Sequence, residues 1–381
     1  MKAQNENERI IWLDVARSIA IVSITVNHAV NRSFAVNYDQ FIEFNSIPIA
    51  LTIIKTVLYA FSRIGVPLFL MISGALLLPK DYENGGGAKF LKRNWLQLFI
   101  TTELWLAIMF WYKQVLPGSI LFSEGIGPCL LSFVMTMLFL NPVTMGSMWY
   151  MEMILCVYLM IPILAIALKK LGFKYFLIPI AIVVFCSFIQ PEVNGALTAV
   201  GVQFKIETVL ESAHVFSNYV VMLLLGYFVA HEEGLTRVKT SLLIIGGSLS
   251  FLLFCIFQFW FFSKEYDFVV AKGSRSIFAV LVAVFLFELL KRAKIREKSG
   301  KTATGLSRIS FGIYFIHICI MEGLVAVINH FGLGITYLWK FLLLEGISFF
   351  GSILIIKCLS FEKVRQIGFV KWINKNLLGI K

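Results

Sequence analysis

The chain has 381 residues, 59% of them hydrophobic and 15% charged, with a mean hydropathy of +0.83. That excludes an ordinary soluble domain, and the apolar runs are too long and alternate too poorly for an outer-membrane barrel. Backbone groups in lipid must be satisfied within their own segment, so the chain reads as all-α, a polytopic transmembrane helix bundle.

Ten spans are predicted, near 10–31, 57–78, 94–116, 147–168, 173–190, 215–231, 240–262, 274–291, 308–329 and 336–358. Residues 47–56, with Pro48 and Lys55, read as interfacial. PCLLSFVMTMLFL at 128–140 is short and reads as re-entrant or interfacial. Lys80, Lys89, Lys92 and Arg93 lie in one loop; Lys169, Lys170 and Lys174, then Arg237 and Lys239, then KRAKIREKSGK at 291–301 lie in alternate later loops. Such alternation marks the cytoplasmic side, so both termini are expected to be cytoplasmic. The net charge of +12 then reports topology, and no nucleic-acid partner is expected. The first run is too long for a cleavable leader and should stay as an anchor in the cell membrane. No linker sets off a soluble domain, so residues 1–381 read as a single membrane domain with short loops. The longer stretches 117–146 and 191–214, punctuated by Gly and Pro, are the loops of a length that often carries function.

Cys129, Cys156, Cys186, Cys255, Cys319 and Cys358 make no CxxC pair and read as small buried hydrophobes. His214, His231 and His330 fall near span ends without metal-binding spacing, and are expected to face headgroups or water. No metal is expected. GGG at 85–87 lacks the Lys-Ser/Thr of a phosphate loop and reads as a flexible turn.

The ionisable residues inside apolar runs are the candidates for chemistry, because each costs about 3 kcal/mol by insertion scales. The first span, IIWLDVARSIAIVSITVNHAV, holds Asp14, Arg17 and His28. Eleven residues separate Arg17 from His28, about three turns plus 20°, so both point the same way, roughly 16 Å apart along the axis. The plain alternative is that Arg17 pairs with Asp14 and His28 bonds a neighbouring helix. Ser310, Tyr314 and His317 follow i, i+4, i+7 spacing and share one helix face, either a functional stripe or interhelical hydrogen bonding. Arg63 and Glu152 lie at a depth comparable with His28 and can pair with each other. Lys92 and Arg93 abut a predicted helix start, a ready anion site.

Four segments together resemble the integral-membrane acyltransferase family 3. LDVARSIAIVSITVNHAV is similar to its opening, in which Arg or Lys precedes His by the spacing of Arg17 and His28. VPLFLMISGALLL resembles its second helix with Ser73 and Gly74. MWYMEMILCVYLMIPIL resembles the helix with Trp149, and LSRISFGIYFIH the late segment ending in His317. Two departures stand out: Ser147 where the family often has His, and Leu96 and Gln97 where it often has a second Arg. The resemblance implies transfer of an acyl group, commonly acetyl, from cytoplasmic acyl-CoA to a hydroxyl of an extracytoplasmic or lipid-linked polysaccharide, with glycan-assembly partners. Resemblance and residue pattern together make His28, Arg17 and His317 the expected catalytic residues, with Asp14, Arg63, Ser73, Arg93, Trp149, Glu152 and Tyr314 expected around the substrates. An imidazole can take the proton of an attacking hydroxyl, worth roughly 10²–10⁴-fold, and a guanidinium fork suits a phosphate or a developing oxyanion. The alternative is a transporter using the same intramembrane charges, against which stands the lack of a visible inverted repeat.

Overall fold

The computed structural model describes residues 10–36, 40–116, 119–140, 148–206, 217–232, 234–264, 276–361 and 368–379; Ser147, His214 and most of the loop 117–146 beyond Leu140 lie outside them. Among these residues every regular element is helical. The chain divides into two units, Met1–Pro79 with Leu171–Ser310, and Lys80–Lys170 with Phe311–Lys381.

The first segment holds α1 (Ile11–Ser33), α2 (Gln40–Ser46), α3 (Ile49–Ser62) and α4 (Gly65–Leu77). The second holds α5 (Gly86–Phe90), a π turn (Leu91–Trp95), α6 (Leu96–Val115), α7 (Ile120–Glu124), α8 (Ile126–Met137) and α9 (Trp149–Leu171). The third holds α10 (Leu177–Val184), a π turn (Phe185–Ile189), α11 (Gln190–Ala199), α12 (Asn218–His231), α13 (Thr240–Phe262), α14 (Ile277–Arg292) and the opening of α15 (Glu297–His330). The rest of α15, α16 (Tyr337–Ser360) and α17 (Gly368–Asn376) close the second unit.

In their described residues, all ten predicted spans fall on helical stretches. Seven helical stretches among the described residues are long and apolar enough to cross a membrane. The other three predicted spans fall short of that standard: α12 has 14 residues, α14 has 16, and α6 carries Glu103 and Lys113.

Residues 47–56 are not a separate interfacial piece. Pro48 stands at the N-cap of α3, and α3 with α4 forms one apolar stretch of 29 residues. Lys55, whose charge suggested a surface, is fully buried with Nζ 2.6 Å from Glu43 Oε2 and 4.2 Å from the centre of the Phe262 ring. A partner carboxylate offsets the desolvation that would otherwise expel the ammonium. Likewise 191–214 does not begin as a loop, since α11 continues to Ala199. The glycines at 85–87 open a helix: Gly85 has φ +89°, and a Cβ on Gly86 would lie 2.6 Å from the Asp81 carbonyl oxygen. Of the cysteines only Cys129 is buried; Cys156 and Cys358 are exposed on α9 and α16.

In the first unit, Leu13, Ala16 and Ala20 of α1 meet Leu68, Met71 and Ile72 of α4 and Ala283 and Phe287 of α14. The α4–α12 crossing is backbone on backbone. A Cβ on Gly74 would stand 1.8 Å from the Leu223 oxygen, and one on Gly226 2.1 Å from the Met71 oxygen. Small residues permit this approach where lipid supplies no hydrophobic drive between helices. One end of this unit gathers basic segments: Arg292 donates to the Val238 oxygen and also to that of Leu235, and Gly300 lies against Ile11. These segments therefore share one end of the unit.

In the second unit α6 is held by polar handles on large rings. The Trp95 indole donates to the Leu155 oxygen, the Trp105 indole to the Leu377 oxygen, and the Tyr112 hydroxyl to the Cys319 oxygen. Trp105 also stacks on Phe315 at 4.7 Å. Lys169 bridges Asp81 and Glu83 at 3.3 and 2.8 Å, so the α4–α5 loop and the end of α9 share one end, as their charges predict. The Glu83 N–H and Lys169 hold the exposed Asp81 carboxyl below the ordinary carboxylate range.

Candidate active site

Each unit carries its own polar constellation. In the first, α1 presents a row of small and apolar residues to the core at 13, 16 and 20, so a half-turn of polar residues follows the same buried side. Asp14 is 4% exposed. Its Oδ2 accepts from Thr304 Oγ1 at 2.9 Å and its Oδ1 from Ser307 Oγ at 2.7 Å. Ser307 in turn accepts from Arg17 Nη1 at 3.4 Å. Asp14 and Arg17 therefore converge on one hydroxyl from α15. Ser18 reinforces the junction, donating to the Ala303 oxygen at 3.0 Å. Ser310, on the same helix, is buried and donates to the Ser307 oxygen at 2.9 Å.

Thr304 and Ser307 were not among the sequence candidates. Their signal was the run of small polar residues TATGLS before the ninth apolar run. With that span starting near 308 the run read as loop, whereas α15 starts at Glu297 and places both hydroxyls on helix.

His28 lies on the same uninterrupted α1, buried at 9% exposure, with Arg17 half-buried. The helix rise puts them roughly 16 Å apart on the inward side. Arg32 Nη1 donates to the His28 carbonyl at 3.1 Å, closing the end of that helix. Nearby, the break between α3 and α4 is tied to α1. Ser23 Oγ donates to the Phe61 oxygen at 2.9 Å, and Ser62 Oγ to Asn27 Oδ1 at 3.5 Å. Arg63 sits at the break, its guanidinium 4.1 Å over the Tyr59 ring. Ser73 is half-buried on α4 beside Gly74, whose own role is the α12 contact.

In the second unit, His317 is fully buried on α15. Its Nδ1 donates to the Ile313 carbonyl at 2.7 Å, which leaves Nε2 as the acceptor of the neutral ring. Tyr314, also buried, packs at 6.3 Å from that ring and at 5.9 Å from Tyr150 of α9. Glu152 is half-buried two residues further along α9, and Trp149 at its start is 38% exposed.

The anion-site expectation at Lys92 and Arg93 needs correction. Both are exposed, but they lie in a π turn inside a continuous helical run from Gly86, so the free N–H groups are at Gly86 and not beside Arg93. What they offer is exposed positive charge. In the first unit, Lys291 and Arg292 are engaged with backbone. Lys291 Nζ donates to the Val229 oxygen at 2.6 Å, and Arg292 Nε pairs with the buried Glu288 at 2.6 Å. His231, expected to face water, is exposed yet donates through Nε2 to the Ala75 oxygen at 2.8 Å. No group of three His, Cys, Asp or Glu able to hold a metal occurs among the described residues.

A model of a protein family, described as an acyltransferase domain, matches residues 10–357 of the chain. No curated protein and no solved structure matches it.

Proposed function

The chain belongs to the acyltransferase 3 family, and on that premise we propose that it is a membrane O-acyltransferase that moves an acyl group, in the simplest case acetyl, from acyl-CoA to a hydroxyl of a cell-envelope glycan. The reaction forms a C–O ester bond and breaks the C–S thioester bond. The hydroxyl proton ends on the CoA thiol.

In this reading His28 is the base that accepts the hydroxyl proton, and Arg17 holds the anionic donor. Asp14, Ser307 and Thr304 fix the Arg17 end of the helix. Arg93 and its neighbour Lys92, exposed on one helical run, supply further charge for the CoA phosphates. His317, with its tautomer set by the Ile313 carbonyl, is a second acceptor. Arg63, Ser73, Trp149, Glu152 and Tyr314 contribute to the substrate surfaces. The observation that carries the reading is that one unbroken helix turns both a guanidinium and an imidazole inward, with the guanidinium anchored from α15.

The test compares envelope glycans of cells carrying the native chain or His28→Ala by NMR. Loss of O-acyl signals at unchanged glycan amount is the expected result. Unchanged O-acyl signals, with altered uptake or export of a small substrate, would replace the reading with a transporter.

A further inference from the structure

The helix α15 outruns its own apolar stretch. It has 34 residues, a length of roughly 51 Å, against a hydrocarbon core of about 30 Å. About three turns precede the apolar run that starts near 308, and they lie in the first unit with α1. Exposed on these turns are Lys301 and Arg308. Seven residues apart, they differ by two turns less about 20°, so they share one side of the helix, roughly 10 Å apart along its axis. Gly305 lies on that side between them. A Cβ there would meet nothing within 4 Å, so the backbone is bare over the interval.

Arg17 falls on the same side of the helix pair. α1 and α15 run parallel here, with Ile11 beside Gly300 and Asp14 beside Ser307. Around α15, Ala303 and Ser310 stand to one side of Ser307, and Lys301, Thr304 and Arg308 to the other. On α1, Arg17 and Ser18 diverge by about 100°. Ser18 bonds the Ala303 oxygen, so Arg17, reaching Ser307, is turned toward the flank of Lys301 and Arg308. The nearby acids are engaged. Asp14 accepts from Thr304 and Ser307, and Glu297 Oε1 meets Lys301 Nζ at 2.6 Å. The second pair is exposed at both ends, contributes little, and yields to a stronger anion. Arg308 has no hydrogen-bond or ion-pair partner among the described residues. Three cations along one seam repel each other, and a guanidinium beside a hydrocarbon run is costly; a bound polyanion offsets both. Two guanidinium forks suit a diphosphate, and a lysine further along suits a separate phosphate as a point charge.

We propose that this flank of the α1–α15 seam binds the nucleotide end of the acyl donor, its diphosphate on Arg17 and Arg308, its ribose 3′-phosphate on Lys301, and the sugar over the bare backbone at Gly305. The identity of the ligand rests on the acyl-transfer reading. A headgroup with one phosphate would leave Lys301 unused. Cardiolipin, with two phosphates joined through glycerol, shares the chemistry and is the rival source.

The test titrates the full chain in phosphatidylcholine nanodiscs with CoA, and with dephospho-CoA, which lacks the 3′-phosphate, by calorimetry. Arg308→Gln should raise Kd about tenfold for both ligands. Lys301→Gln should raise it about threefold for CoA and leave dephospho-CoA unchanged, so the native preference for CoA vanishes. Lys239→Gln removes an exposed charge from the same end of the unit and should change neither titration. Equal weakening by Lys239→Gln and Arg308→Gln would report diffuse charge and overturn the proposal. Intact CoA affinity in Arg308→Gln, with bound cardiolipin lost in native mass spectrometry, would hand the site to the lipid. CoA held at full strength by both α15 variants sinks this site alone and leaves the acyl-transfer reading standing; a native chain that neither binds CoA nor transfers acyl groups sinks both. Should Arg308→Gln fail to fold, the comparison of the two ligands in Lys301→Gln still decides.

Discussion

Ser307 is the point at which a stability effect and a catalytic effect should separate. Its hydroxyl donates to Asp14 Oδ1 at 2.7 Å and accepts from Arg17 Nη1 at 3.4 Å. Thr304 makes only the first kind of contact, at 2.9 Å to Asp14 Oδ2. A hydrogen bond to a charged group contributes about 1.5–3 kcal/mol. Ser307→Ala and Thr304→Val therefore each remove one bond to the same buried carboxylate, and their losses of thermal stability should match within about 1 kcal/mol. The longer Arg17 contact should add little stability, and we expect it to help orient the guanidinium. Losing that orientation should cost about 1.4 kcal/mol of transition-state stabilisation, a tenfold loss of kcat/KM, for Ser307→Ala alone. The assay is acyl transfer from acyl-CoA in proteoliposomes, paired with thermal unfolding of the same preparations. Equal activity loss in both variants, or full activity in Ser307→Ala, refutes the idea that Ser307 orients Arg17.

Arg17→Gln should raise KM for acyl-CoA several-fold, yet leave transfer from acetyl-pantetheine, a donor without the nucleotide phosphates, nearly unchanged; His28→Ala should lower kcat with both donors. Lys55→Met leaves Glu43 charged and buried, and should cost about 3–5 kcal/mol in thermal or denaturant unfolding, most of it recovered by adding Glu43→Gln. Gly74→Leu should prevent assembly of the α4–α12 pair and abolish a monodisperse peak in size exclusion. Gly305→Ala, where a Cβ meets nothing within 4 Å, should be neutral or stabilising by up to about 1 kcal/mol. The Glu83 amide bonds the depressed Asp81 carboxyl, whose contribution is present above the ordinary carboxylate pKa near 4 and lost as pH falls through the lower folded value. Its exchange protection should hold flat through neutral pH and collapse only in acid below about 4; a decline beginning near pH 6 contradicts the assignment.

Much of the helix pattern was legible, because lipid forces apolar length and backbone self-satisfaction together. The inward alignment of Arg17 and His28 was legible because helical period is fixed by the backbone. What was missed had a common cause. Lys55, Thr304 and Ser307 are polar residues inside or beside helices, and polarity alone assigns them to surfaces or loops. Their placement depends on partners beyond one helical turn: Glu43, 12 residues away, for Lys55, and Asp14, 290 and 293 residues away, for the hydroxyls of half-buried Thr304 and buried Ser307. Pairing of that kind leaves no periodic trace. The glycine of the Ser73–Gly74 motif shows the converse: the residue pattern was visible, but its reason, contact with the Leu223 backbone, lies in a helix some 150 residues later.

The distinction between the two donors follows from reach. Arg17 and His28 stand on one continuous helix whose rise separates them by roughly 16 Å, and no break in α1 can shorten that. For both to act on one thioester carbon, each side chain would have to extend along the axis toward the other. With His28 receiving the proton of the attacking hydroxyl, the reacting carbonyl is at its end of α1, and an Arg17 held toward Ser307 is better placed for a part of the donor removed from the thioester. In acyl-CoA the far end of the pantetheine arm carries phosphates at that remove. Anchoring of the guanidinium by Ser307, with Asp14 beside it, suits such a role, because a fixed fork binds an anion with less loss of side-chain freedom than a mobile one.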